Sequence, residues 1–156
     1  MAVSGRTSIP RLSRRTIVRD RLLSRLHAGI GNGVTVLEAP AGYGKTTLLA
    51  QFVGDVDYAC KWLSLDSTSG SPEILAHQLG VALTGNLDIE PPATAAKVSD
   101  LQAYVGAVMA QALGDSDRPV LLVIDNTHEL AENREAANLL GWLIVFLPEG
   151  NEVVLA

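Results

Sequence analysis

The chain has 156 residues, 47% of them hydrophobic and 19% charged, with a formal net charge of −5. That length and apolar share suit one domain with a sizeable core, and the acidic balance excludes a nucleic-acid grip over most of the surface. A lone cysteine, Cys60, excludes an internal disulfide and reads as a packed thiol.

Residues 1–15 are polar, basic and contain Pro10; they read as an irregular arm, with residues 16–156 as the folded core. Arg6, Arg11, Arg14, Arg15, Arg19, Arg21 and Arg25 hold more than half of the twelve basic residues, which reads as a solvated face with some charge near a phosphate. No apolar h-region follows these residues, so no secretory signal is expected. The longest apolar stretch, Ala136 to Leu147, carries Asn138 and is too short to span a bilayer. The expectation is a cytoplasmic domain without a membrane partner.

Thr16-Ile17-Val18 is short and apolar, and Arg19 to His27 places Leu22, Leu23 and Leu26 on one helical face. Gly29, Gly31 and Gly33 punctuate a loop before a first strand, Val34 to Leu37. Next comes Ala39-Pro40-Ala41-Gly42-Tyr43-Gly44-Lys45-Thr46-Thr47, which opens a helix running to about Phe52. Strand, glycine-rich loop and helix form the setting of a phosphate-binding P-loop. Glycines let backbone N–H groups turn toward an anion, and the helix N-terminus adds its positive dipole end. In this pattern Lys45 reaches the β- and γ-phosphates and the Thr46 hydroxyl ligates Mg²⁺. Ala39 stands where the first glycine of the pattern is usual; the close approach to phosphate comes later, at Gly42 and Gly44.

Ala59 to Leu65 reads as a second strand ending at Asp66, with Trp62 in the core. Ser71-Pro72-Glu73 is a helix start, with Ser71 as N-cap and Leu75, Leu79 and Leu83 on the buried face. Leu87 to Lys97, with Pro91-Pro92, is a loop, and Ser99 to Gln102 fits a capping box for a helix that buries Leu101, Val105, Val108 and Ala112. Val120 to Ile124 are five consecutive apolar residues, a strand buried on both faces. A helix from about Asn133 to Phe146 and a last strand, Val153 to Leu155, complete an α/β fold around a parallel sheet.

Asp125 ends the Val120–Ile124 strand, the place from which an acid holds Mg²⁺ in such a site. Asn126 follows it. An amide orients a water but accepts no proton, so nucleotide binding is better supported than hydrolysis. Asp66 and Glu129 are substitute carboxylates, and His128 either meets the γ-phosphate or caps a helix.

With these residues placed, the chain resembles the ATPase domain of the MalT-type, large LuxR-family transcriptional regulators, which belong to the STAND signal-transduction ATPases. The resemblance lies in Ile17 to Leu23, Glu38 to Leu49, Lys61 to Asp66 and Val123 to His128. It implies a P-loop NTPase fold of three layers with a mostly parallel sheet, truncated here before the fifth strand. In that order the final strand inserts between strand one and the Asp125 strand. It also implies that Val18 and Arg19 contact base or ribose. The P-loop residues Ala39, Pro40, Ala41, Gly42, Tyr43, Gly44, Lys45, Thr46 and Thr47 would bind ATP or ADP, with Mg²⁺ on Thr46 and Asp125. The implied function is an ATP-driven switch that self-associates and meets DNA only through a C-terminal domain beyond this chain. Such proteins usually carry two acids where this chain has Asp125-Asn126, so the expected ATPase is weak. A small-molecule kinase and a nucleotide-binding scaffold without turnover are the alternatives; the first lacks an arginine-rich lid, since only Arg134 follows Asp125.

Overall fold

The computed structural model describes residues 6–95 and 97–156. The first five residues of the expected arm, and Ala96 in the expected 87–97 loop, lie outside the described residues. In chain order the elements are α1 (Asp20–Gly29), β1 (Val34–Val36), α2 (Lys45–Val53), β2 (Ala59–Ser64), a 3₁₀ turn (Ser67–Gly70), α3 (Pro72–Thr84), α4 (Val98–Gly114), β3 (Val120–Asp125), a second 3₁₀ turn (Thr127–Leu130), α5 (Arg134–Phe146) and β4 (Glu152–Leu155).

The sheet order is β1-β4-β3-β2, and every pairing is parallel. Side chains alternate between its faces. On one face Leu63, Leu122, Ile124 and Val153 pack with α3, α4 and α5; on the other Trp62, Leu121, Val123 and Val154 pack with α1 and α2. This is the three-layer α/β arrangement, and the last strand does insert beside the Asp125 strand. All six residues of β3 are buried, as the unbroken apolar run requires. Trp62 is 1% exposed and donates its Nε1–H to Ser64 Oγ at 2.8 Å. Cys60 is partly buried, its Sγ 3.6 Å from the Val53 carbonyl, and burial pushes its thiol up.

Three local expectations are corrected. The capping box at Ser99 is replaced by a start two residues earlier: Lys97 is the N-cap, and the Asp100 carboxylate reaches back to its amide at 3.1 Å. An acid at the third helical position makes that bond whatever side chain stands at the cap. Ser71 is the N-cap of α3, but its hydroxyl donates to the Glu73 carboxylate at 2.5 Å instead of bonding a backbone amide. Leu37 and Leu65 fall just outside their strands, although their amides still reach the Leu155 and Asp125 carbonyls at 2.7 and 2.9 Å.

The arm is irregular up to Arg19 but it is anchored. The Arg6 carbonyl accepts the Ser64 amide at 2.8 Å, and its guanidinium pairs with Asp66 and donates to Thr68 Oγ1. From Arg6 onward the arm therefore runs from the end of β2 to α1, close to the P-loop.

Candidate phosphate-binding site

Parallel strands send their C-terminal ends to one edge, and ligands bind outside that edge in open α/β sheets. Here the edge brings together the loop after β1 and the end of β3. Gly42 and Gly44 have φ of 82° and 77°. A Cβ in that left-handed region is strained, so glycine is needed at both positions. A Cβ on Gly42 would meet nothing within 4 Å. The loop is open there, and its backbone can be approached closely. Gly44 is the N-cap of α2. The first-turn amides of Lys45, Thr46 and Thr47 have no carbonyl inside the helix to bond, which leaves them for an anion.

Lys45 Nζ donates to the Ala39 carbonyl at 2.7 Å, across the mouth of the loop. Thr46 Oγ1 donates to Asp125 Oδ2 at 2.5 Å. Asp125 is 1% exposed, and its other oxygen accepts the Asn126 amide at 2.9 Å. Among the described residues these two neutral donors are all that the carboxylate meets. A buried carboxylate costs free energy unless it is paired or holds a cation. The hydroxyl and carboxylate oxygens are hard donors of the kind Mg²⁺ takes, and Mg²⁺ fills its remaining positions with water and phosphate. The residues present fit that ion. No group of three or more His, Cys, Asp or Glu able to hold a metal occurs among the described residues.

Asn126 has φ 64°, the one positive φ outside glycine among the described residues. Asn and Asp adopt this conformation more easily than other side chains. Its Nδ2 reaches the Leu65 carbonyl at 3.4 Å.

Of the two substitute carboxylates, Asp66 is already engaged. It caps the 3₁₀ turn at Ser67–Gly70, accepting from Thr68 N at 2.9 Å and Thr68 Oγ1 at 2.6 Å. Burial acts to raise its carboxyl, but the bonds from Thr68, the Arg6 guanidinium and Ser69 outweigh it and hold Asp66 below the usual range. A carboxylate so satisfied is a poor proton acceptor. Glu129 is partly exposed and lies 3.6 Å from His128 Nε2.

His128 lines a cavity of about 510 Å³ together with Glu38, Ala39, Ala41 and Lys45. A wider cavity of about 660 Å³ runs along α5 past Leu140 and Ile144. It holds neither the lysine nor the strand-end carboxylate, so chemistry rather than volume places the site. Arg19, the N-cap of α1, donates from Nη1 to the Tyr43 carbonyl at 2.7 Å. Val18 is 58% exposed beside it, and Ile17 and Tyr43 are exposed as well. The contact of Arg19 with the loop backbone was not legible in the sequence, because its partner is a carbonyl that any residue would supply.

A family model described as AAA domain matches residues 29–153. The chain belongs to the AAA domain family. The match covers the P-loop, Asp125 and all four strands except the last two residues of β4. The chain is also similar to the HTH-type transcriptional regulator MalT of Serratia proteamaculans, at 33% identity over 99% of this chain and 17% of that protein. It is 36% identical to the MalT regulator of Yersinia enterocolitica over 82% of this chain and 14% of that protein. The chain thus spans about a sixth of the length of these relatives. No helix among the described residues is long and apolar enough to cross a membrane.

Proposed function

We propose that this chain is the Mg·ATP-binding switch module of a MalT-like transcriptional regulator, in which ATP favours an assembly-competent state and ADP an inactive one. One observation carries the reading: the first P-loop hydroxyl, Thr46, meets the buried strand-end acid, Asp125, at 2.5 Å. An AAA domain with that juxtaposition is suited to hold a metal-nucleotide complex. Ala39 to Thr47 would wrap the phosphates, with Lys45 on the β- and γ-phosphates and Thr46 and Asp125 on Mg²⁺. The ion would neutralise phosphate charge. Val18 would pack on the base. Self-association, a cytoplasmic location and DNA contact through a separate helix-turn-helix belong to the same proposal, by similarity to the named relatives.

Asn126 favours a second reading, a nucleotide-binding scaffold without turnover, against the slow hydrolysis that goes with the first. It stands beside Asp125, where an acid would accept the proton of the attacking water, and an amide cannot do so. Steady-state phosphate release separates the two readings.

The binding reading is tested at Lys45. Lys45→Ala removes a charge-assisted contact worth about 1.5–3 kcal/mol, and ATP and ADP affinity should fall roughly ten- to hundredfold. Titration calorimetry showing equal affinity for wild type and variant would sink the assignment.

A further inference from the structure

We propose that Arg19 is a positioning residue for the phosphate loop, setting the loop's binding shape from the segment in front of α1. The inference rests on the nucleotide reading above. Arg19 Nη1 donates to the Tyr43 carbonyl at 2.7 Å. Its Nη2 and Cζ lie 3.2 and 3.6 Å from where a Cβ on Gly44 would stand. The flat guanidinium therefore lies against the glycine whose left-handed backbone begins α2.

The consequence follows from the planar trans peptide. In the Tyr43–Gly44 unit the C=O and N–H point in opposite directions. A guanidinium holding the Tyr43 carbonyl on the outer side turns the Gly44 N–H to the inner side, where the loop's amides converge on an anion. Arg19 is itself held. Its carbonyl accepts the Leu22 and Leu23 amides at 2.9 and 3.0 Å, and two residues earlier the Ile17 carbonyl accepts Gln51 Nε2 at 3.0 Å. The segment before α1 thus grips both the start of α2 and the helix one to two turns further along. The arm and the phosphate loop become one mechanical unit.

A base or ribose contact by Arg19 and a brace on the loop differ in what they do to a ligand without base or sugar. Binding of Mg·ATP and of Mg·tripolyphosphate is measured by calorimetry for wild type, Arg19→Ala and Arg19→Lys, with unfolding midpoints recorded without ligand. Arg19→Ala should weaken both ligands by the same factor, roughly tenfold. Its midpoint should stay near wild type, because Arg19 is exposed. Arg19→Lys should recover part of the loss for both ligands, since an ammonium still donates to the Tyr43 carbonyl but cannot lie flat on Gly44. If Arg19→Ala does not fold, the comparison of the two ligands on Arg19→Lys decides. A loss confined to ATP overturns the brace in favour of a base or ribose contact, and unchanged affinity for both ligands overturns it outright. Wild type binding neither ligand overturns the phosphate-loop reading itself, and the brace with it.

Discussion

Asn126 sits in the left-handed region at φ 64°, directly after the acid that ends β3. Aspartate tolerates the same backbone almost as well, so Asn126→Asp can be made with the fold intact. It adds a carboxylate at the position where the resemblance expects a second acid. If the site is otherwise complete, phosphate release measured over many turnovers should rise from a very low value to a clearly measurable one. Brisk release by the wild type would instead show that another group takes the proton. Asp66 is a poor candidate for that group, because Thr68, Ser69 and Arg6 all stabilise its charged form.

At the scale of elements, two contacts decide stability in ways the sequence hides. Gly80 lies in α3 where a Cβ would collide with Tyr104 Oη on α4 and stand 3.2 Å from its Cζ. Helix propensity favours alanine there by about 1 kcal/mol, whereas overpacking costs about 1–3 kcal/mol. Gly80→Ala should therefore be destabilising in urea titrations. The Tyr104 hydroxyl is buried without a hydrogen-bond partner among the described residues, and burial together with the nearby Glu90 charge pushes it up. Tyr104→Phe removes that oxygen. It should be neutral or stabilising alone and should recover part of the Gly80→Ala loss; strict additivity of the two changes would show that they do not meet. The second element is β1. Among the described residues it pairs only with β4, and Val36 is 67% exposed. A strand held on one side opens more readily than one held on both. Amide exchange should reach Val34–Val36 well before Leu122 and Val123, and equal protection would contradict the edge assignment.

Across the whole molecule, one sheet carries a buried cluster on each face, so both clusters should unfold together, and a ligand on the P-loop stabilises the entire chain. Mg·ATP at about 100 times its dissociation constant adds about 2.7 kcal/mol, which raises the unfolding midpoint by roughly 5–10 °C for a chain of this size. Lys45→Ala should show little of that shift at the same nucleotide concentration. A wild type whose midpoint is indifferent to Mg·ATP would count against nucleotide binding.

The sequence by itself determined the phosphate loop, because Gly42, Gly44, Lys45 and Thr46 act through local backbone conformation and spacing. It likewise made β3 legible: a short unbroken apolar run led in by Pro119 suits a strand buried on both faces, with Asp125 at its end. The helices α3 and α4 were legible from their apolar spacing. What only the tertiary structure decided depends on contacts between distant segments. The 2.5 Å meeting of Thr46 with Asp125 comes from the placement of α2 and β3 at one edge of the sheet. The pairing of Arg6 with Asp66 joins residues that the pattern had assigned to an arm and to a candidate base. The grip of Arg19 on Tyr43 uses a main-chain carbonyl, which carries no side-chain signature for a sequence to display.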